Sequence, residues 1–243
     1  IGVNDVAAHY TPVINDPNTI PDNSIVKIDL GVHIDGYIAD TATTITLNPA
    51  FEGLVESSRE ALERAIEIIE PGIRVNRIGK VIEETINKSG YKVIKNLSGH
   101  SISRYMIHSG LSIPNYNELF ARSKLEEGVY AIEPFATNGI GYVRNGSIVT
   151  IYSLKKKKYP RLTSSENKLV ETIWNNRRTL PFCERWYKTL FNNIDSLRNT
   201  LKLLVIHKVL HQYPILVERS GGLVSQFEHT IVIHGKDVIV TTL

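Results

Sequence analysis

The sequence predicts an α+β fold: an antiparallel sheet with a pseudo-two-fold repeat, flanked by helices, with a helical insertion late in the chain. Three observations predict it. Asp35-Gly36 stands between two strand-like runs and is a strong short hairpin signal. Two stretches, SIVKIDLGVHIDGY at 24–37 and GVYAIEPFATNGIG at 128–141, each place a carboxylate after an apolar approach and then turn on a glycine, so Asp29 and Glu133 hold matching places, as a duplicated sheet would give. Between residues 155 and 214 the pattern shifts from strand-like to helical.

Residues 1–20 read as loop, punctuated by Asn-Asp, Thr-Pro and Asp-Pro. A hairpin follows from about Ser24 to Leu47, ended by Asn48-Pro49. Phe51 to Ile69 is expected as a helix from the spacing of Leu54, Val55, Ala61, Leu62, Ala65, Ile66 and Ile69, and Pro71-Gly72 stops it. Val75 to Lys88 repeats the pattern with Ile78, Val81, Ile82 and Ile86, and Gly90 ends it. Residues 91–96 are expected as a short strand, 97–110 show no period, and strands are expected at 129–136 and 147–153. In the insertion, Ser164 or Ser165 is expected to cap one helix and Asp195 another. Strands return at 225–233 and 237–242. The expected domains are therefore a catalytic unit of 1–154 and 215–243, and a helical insertion of 155–214.

A two-residue turn at Asp35-Gly36 pairs Gly31 with Asp40. Ile28, Leu30, Val32 and Ile34 then point to one face, expected to be core, while Asp29 and Asp40 share the other as diagonal neighbours, roughly 7–8 Å apart between Cα atoms. Two like charges this close need a cation between them or a proton on one. A pair of divalent ions, about 3.5–4 Å apart, would fit.

The 243 residues suit one large domain or two small ones. No run of eighteen apolar residues suggests a membrane span, and no signal-peptide pattern opens the chain. The single Cys183 excludes an internal disulfide and fits a reducing compartment, the cytoplasm. A net charge of +3 does not argue for nucleic acid, and the run Lys155 to Lys158 has no interleaved aromatics, so direct nucleic-acid binding is not expected. The chain begins at Ile1 and its one methionine is Met106, which implies processing or a missing leading segment.

Four acids interrupt strand-like segments: Asp29, Asp40, Glu133 and Glu228. His100 stands in the Gly-Ser-rich SGHS. A carboxylate inside an apolar strand is expensive to bury unpaired. Together the five describe an oxygen-rich, one-imidazole site suited to Mn²⁺, Fe²⁺, Co²⁺ or Zn²⁺.

AAHYTP (7–12), KIDLGVHIDGYIADTA (27–42), LSGHSISRYMIHSG (97–110), YAIEPF (130–135), RTLPFCERW (178–186) and QFEHT (226–230) resemble the type II methionine aminopeptidases, the archaeal members most. The resemblance runs along essentially the whole chain. It implies the pita-bread fold, in which two pseudo-symmetric halves enclose a dinuclear metal site, and it matches the helical insertion. By that resemblance Asp40 and Glu228 bridge two divalent ions, Asp29 holds one, and His100 with Glu133 holds the other. The family's two further active-site histidines fall on His9 and His108. Members begin with a further helix and strand, absent here, which supply part of the substrate pocket; the expectation is a sequence that omits residues or joins a cleaved chain.

The implied reaction is removal of an N-terminal methionine from nascent chains with a small second residue, by a metal-activated water. Glu133 would act as base and acid, His108 would steady the developing oxyanion, and His9 would orient the scissile bond. Ile107, Pro181 and Tyr213 are candidate walls of the methionine pocket, with plain core packing as the bland alternative for each. His33, His207, His211, His229 and His234 have no matching role, and Cys183 reads as buried filler. A monomer is expected, without a membrane partner, and the ribosome is an open docking partner. Two rivals are a proline-directed aminopeptidase of the same fold and a non-catalytic, ribosome-associated binding protein.

Overall fold

The computed structural model describes every residue except Lys157, Lys158 and Pro160, so the second half of the Lys155–Lys158 run lies outside the described residues. In chain order the elements are β1 (Gly2–Val3), β2 (Val6–Ala8), β3 (Ile25–Ile34), β4 (Tyr37–Thr46), α1 (Glu52–Glu67), α2 (Val75–Lys88), β5 (Lys92–Val93), β6 (Ser98–Ile102), β7 (Ser112–Pro114), β8 (Gly128–Ile132), β9 (Phe135–Thr137), β10 (Val143–Leu154), α3 (Ser164–Arg177), β11 (Phe182–Cys183), α4 (Ile194–Ile206), β12 (Leu210–Glu218), β13 (Val224–Gln226), β14 (His229–His234) and β15 (Asp237–Val240). The chain forms two compact units. Unit 1 is Ile1–Ala8, Ile20–Asn145 and Leu216–Leu243; unit 2 is His9–Thr19 and Gly146–Ile215. Among the described residues no helix is long and apolar enough to cross a membrane.

Unit 1 is built from antiparallel sheets in the orders β1-β3-β4, β13-β9-β5 and β15-β14-β8-β6-β7. The β3–β4 register is the one the Asp-Gly turn dictates, from Ile34↔Tyr37 through Gly31↔Asp40 to Ile25↔Thr46. Asp35 at φ 50° and Gly36 at φ 87° both adopt the left-handed region that a two-residue hairpin turn of right-handed twist requires. α1 and α2 pack on each other and on β5, β7, β8, β9 and β13, and α1 also touches β4 of the hairpin. Their apolar stripes (Leu54, Leu62, Ile78, Ile82, Ile86) close over Tyr130, Ile132 and Ile231 to form the main core.

That placement corrects one expectation. Ile28, Leu30, Val32 and Ile34 share a face as predicted, but the face is not core: they are 42%, 57%, 57% and 81% exposed. The exposure of all four side chains shows that the helices of unit 1 leave the turn end of this face uncovered, although Ile25 and Val26, at the far end of β3, are buried. The opposite face, by contrast, encloses Lys27, whose ammonium donates to Asn4 O at 3.0 Å and Val224 O at 2.8 Å. Burial pulls its pKa down to about 7.

The first twenty residues are not all loop, since β1 pairs with β3 and β2 with the end of β12. The strand expected at 129–136 is broken into β8 and β9 at Glu133-Pro134. Proline cannot donate to a ladder.

Unit 2 packs α3 and α4 around Leu169, Ile173, Phe182, Tyr187, Leu197 and Leu204. Thr163, not Ser164 or Ser165, caps α3: it alone has a glutamate three residues on, and Glu166 completes a reciprocal capping box. Asn193 caps α4 by accepting from Ser196 N at 2.8 Å, which leaves Asp195 inside the first turn, where a negative charge suits the helix dipole.

Candidate metal centre

Each candidate ligand is held by strand backbone. Asp29 and Asp40 sit on the enclosed face of the β3–β4 hairpin, diagonal across the ladder. Gly31, directly opposite Asp40, is what lets the carboxylate lie there: a Cβ at position 31 would stand 3.3 Å from Asp40 Oδ1. Glu133 occupies the break between β8 and β9, and Asn115 Nδ2 holds its carbonyl at 3.0 Å. Glu228 occupies the corresponding break between β13 and β14 and is pinned to β4 through Ala42 (Glu228 N to Ala42 O 3.0 Å, Ala42 N to Glu228 O 3.3 Å). His100 is in the middle of β6, opposite Ala131 of β8.

The fold brings these five together. One ligand atom each from Asp40, His100 and Glu228 lie within 4.8 Å of one another. His100 Nε2 stands 3.3 Å from Glu133 Oε1 and 3.9 Å from Asp40 Oδ2. Asp29 Oδ2 accepts from Gln226 Nε2 at 3.3 Å. Asp40, His100 and Glu228 are buried, Glu133 is partly so, and Asp29 keeps contact with solvent although protein crowds it on its other sides.

The electrostatics follow from this crowding. Burial and the neighbouring Asp29 push Asp40 up to about 7. Burial raises Asp29, opposed by the Gln226 hydrogen bond. Burial, then repulsion from Asp29 and Asp40, drives Glu133 well above the usual carboxylate range; Glu228 rises in the same way, with Glu133 as its nearest repelling charge. Burial and the adjacent His108 pull His100 down to about 4, so its ring is neutral near pH 7 and keeps a lone pair to offer. Glu228 Oε1 is buried with no hydrogen-bond partner among the described residues. Four converging carboxylates, a neutral imidazole and an orphaned carboxylate oxygen fit divalent cations of the Mn²⁺, Fe²⁺, Co²⁺ or Zn²⁺ type.

His108 is exposed and meets His100 edge to face, with ring centroids 4.4 Å apart. Ile107, beside it, is half-buried. The other sequence candidates belong to unit 2. There His9 packs edge-on against Tyr213 at 5.4 Å, and its Nδ1–H donates to Pro214 O at 3.1 Å. Burial lowers the His9 pKa, against the raising effect of that bond. Tyr213 is also 4.6 Å from His211 and pairs with Ser153 Oγ at 3.3 Å; Pro181 is half-buried.

Sequence reasoning missed the residues that hold the ligands: Gln226, Thr230 and Asn115. A signal for two of them was present, because Gln226, Glu228 and Thr230 alternate with period two and so share a face.

The family model described as metallopeptidase family M24 matches residues 1–234. A methionine aminopeptidase of Saccharolobus solfataricus is 48% identical over 242 residues, covering 100% of this chain and 80% of the relative; one of Methanocaldococcus jannaschii is 44% identical, covering 100% and 81%. In structure, the methionine aminopeptidase of Rickettsia prowazekii superposes with a TM-score of 0.66 at 21% identity, over 100% of this chain and 72% of that one. A thermophilic Arx1 gives a TM-score of 0.83 at 16% identity, over 98% and 73%. At such identities these structures show the shared fold alone.

Proposed function

The chain belongs to metallopeptidase family M24, and from that premise we propose that it is a methionyl aminopeptidase, which removes the N-terminal methionine of nascent polypeptides by metal-dependent hydrolysis. The observation that carries the reading is the convergence of Asp40, His100 and Glu228 donor atoms within 4.8 Å, with Glu133 at 3.3 Å from the same imidazole.

Asp29, Asp40, His100, Glu133 and Glu228 would hold divalent cations. Bound divalent cations supply the positive charge that lowers the pKa of a water and polarises a carbonyl. The protein's own groups do the rest. The Glu133 carboxyl would take a proton from the attacking water and pass it to the departing amine. His108 faces solvent beside His100 and can donate to the carbonyl oxygen as charge builds on it. The Nδ1 of His9 is occupied by Pro214 O. The parts assigned to His9, and to Ile107, Pro181 and Tyr213 as walls of a methionine pocket, rest on family resemblance. The same reading has the enzyme act as a monomer in the cytoplasm, on chains whose second residue is small.

The test is hydrolysis of Met-Ala-Ser and Ala-Pro-Ser peptides by metal-loaded protein, with a chelated control. Methionine release that chelation abolishes is the expected result, and Glu133→Ala and His100→Ala should each eliminate it. Cleavage of the proline peptide alone would make the enzyme proline-directed. No cleavage of either despite bound metal would make it a binding module.

A further inference from the structure

The whole-chain charge of +3 conceals a division. Unit 2 carries thirteen Lys and Arg against five Asp and Glu, a net of +8, whereas unit 1 carries fifteen against twenty, a net of −5. Several acids of unit 2 are also turned inward. Glu166 is buried in the α3 capping box, and Glu184 is buried against Arg198 and the Ile14 amide. Asp16 accepts from Tyr10 Oη and the amides of Val13 and Asn18.

The aromatics that the Lys155–Lys158 run lacks stand elsewhere in this unit. Both tryptophans of the protein, Trp174 and Trp186, are in it. Trp186 is 53% exposed, and the Arg177 guanidinium lies 4.1 Å from its ring centroid. Arg177 is fixed there, because its Nε donates to Tyr187 Oη at 2.8 Å. Trp186 belongs to a 3₁₀ helix, Glu184–Leu190, in which side chains three apart eclipse one another. Arg185 and Lys188, both exposed, therefore project from one edge, about a third of a turn from Trp186, and Arg185 donates to Thr11 Oγ1 at 2.9 Å.

We propose that this edge of unit 2 binds single-stranded nucleic acid, with a base stacked on Trp186 and the phosphates held by Arg185, Lys188 and Arg177. A half-exposed indole with one face under Arg177 and two further cations close by in the chain is the pairing such ligands use, since every base offers a π-face and every linkage a charge. An acidic peptide would need the cations but not the exposed ring. An anionic membrane would need an apolar face to insert, and the apolar residues of the neighbouring α3 (Leu169, Val170, Ile173) are all buried in the core.

The experiment is fluorescence anisotropy of a labelled U20 oligoribonucleotide titrated with the full chain, at 50 and 200 mM salt. Engaging about three phosphates should cost roughly twentyfold in affinity across that range. Trp186→Ala should weaken binding about tenfold or more at either salt, with the salt dependence unchanged. The pair Arg185→Glu and Lys188→Glu should instead flatten the salt dependence. Trp186→Phe, which keeps a ring, should restore most of the affinity and guards against a folding defect. Binding that ignores all three changes would overturn the proposal, as would no binding at 50 mM salt. Stronger, Trp186-dependent capture by vesicles containing 30% phosphatidylserine than by the oligonucleotide would also overturn it.

Discussion

A single hydroxyl closes both main-chain valences of Asp40: Asp40 N donates to Thr230 Oγ1 at 2.7 Å, and Thr230 Oγ1 donates to Asp40 O at 2.7 Å. The contact joins β4 to β14, two residues beyond Glu228, so this side chain, together with the Ala42–Glu228 bridge, helps set the distance between two proposed ligands. Thr230→Val keeps the shape and removes the bonds. We expect it to weaken Mn²⁺ binding, measured by calorimetry, about tenfold or more, and Thr230→Ser to recover most of the loss. Equal affinity in the valine variant would show that the hydroxyl does not position the ligand.

The metal-free protein should be more stable in mild acid than at neutrality. The folded pKa of Asp40, about 7, lies above its ordinary value of 3.8, so the folded state holds a proton that the unfolded chain has released. Stability from this group is fully present below about 4 and is lost as pH rises towards 7. With Mn²⁺ the slope should reverse, because the ion binds deprotonated carboxylates. Thermal midpoints at pH 5 and 7.5, in chelator and in Mn²⁺, check both signs.

Glu228→Gln separates function from stability. In chelator, removing one of the mutually repelling acids should raise the thermal midpoint, since Glu228 is buried among Glu133, Asp40 and Asp29. Turnover and the metal-induced rise in midpoint should both vanish. A lower midpoint in chelator would mean that the acid makes a structural contribution that the repulsion conceals.

Glu218 makes the opposite prediction. Burial would raise its pKa, but Ser220 Oγ and the amides of Gly222, Ser220 and Ile140 hold the carboxyl at about 2. Its contribution is present above about 4.5 and is lost as pH falls towards 2. Glu218→Gln turns an NH₂ towards these donors and should cost about 3 kcal/mol, read from chemical denaturation at pH 7. At pH 2.5 the variant and parent should differ far less.

The legible part of this protein was whatever is encoded locally. Asp35-Gly36 fixed the register of β3 and β4 over its full length, and with it the diagonal placement of Asp29 and Asp40. The helical stripes of α1 and α2 lay within two residues of their expected bounds. The acids that interrupt apolar strands were visible because the interruption itself is costly. Three things were not local. The breaks that aim Glu133 and Glu228 depend on Pro134 and on the bridge to Ala42. The supporting groups Thr230 and Asn115 act across long stretches of sequence. Which side of the hairpin would be covered depended on where two helices pack, and strand alternation names two faces without saying which one faces water.

That last point inverts the usual rule of substitution for residues 28–40. In most hairpins the apolar rung resists change and the polar rung drifts. Here polar replacements at 28, 30, 32 and 34 meet water, whereas even a methyl at 31 crowds a carboxylate. A deep mutational scan of this chain would therefore show a two-residue rhythm of tolerance with its phase reversed, the greasy positions permissive and the charged and glycine positions fixed.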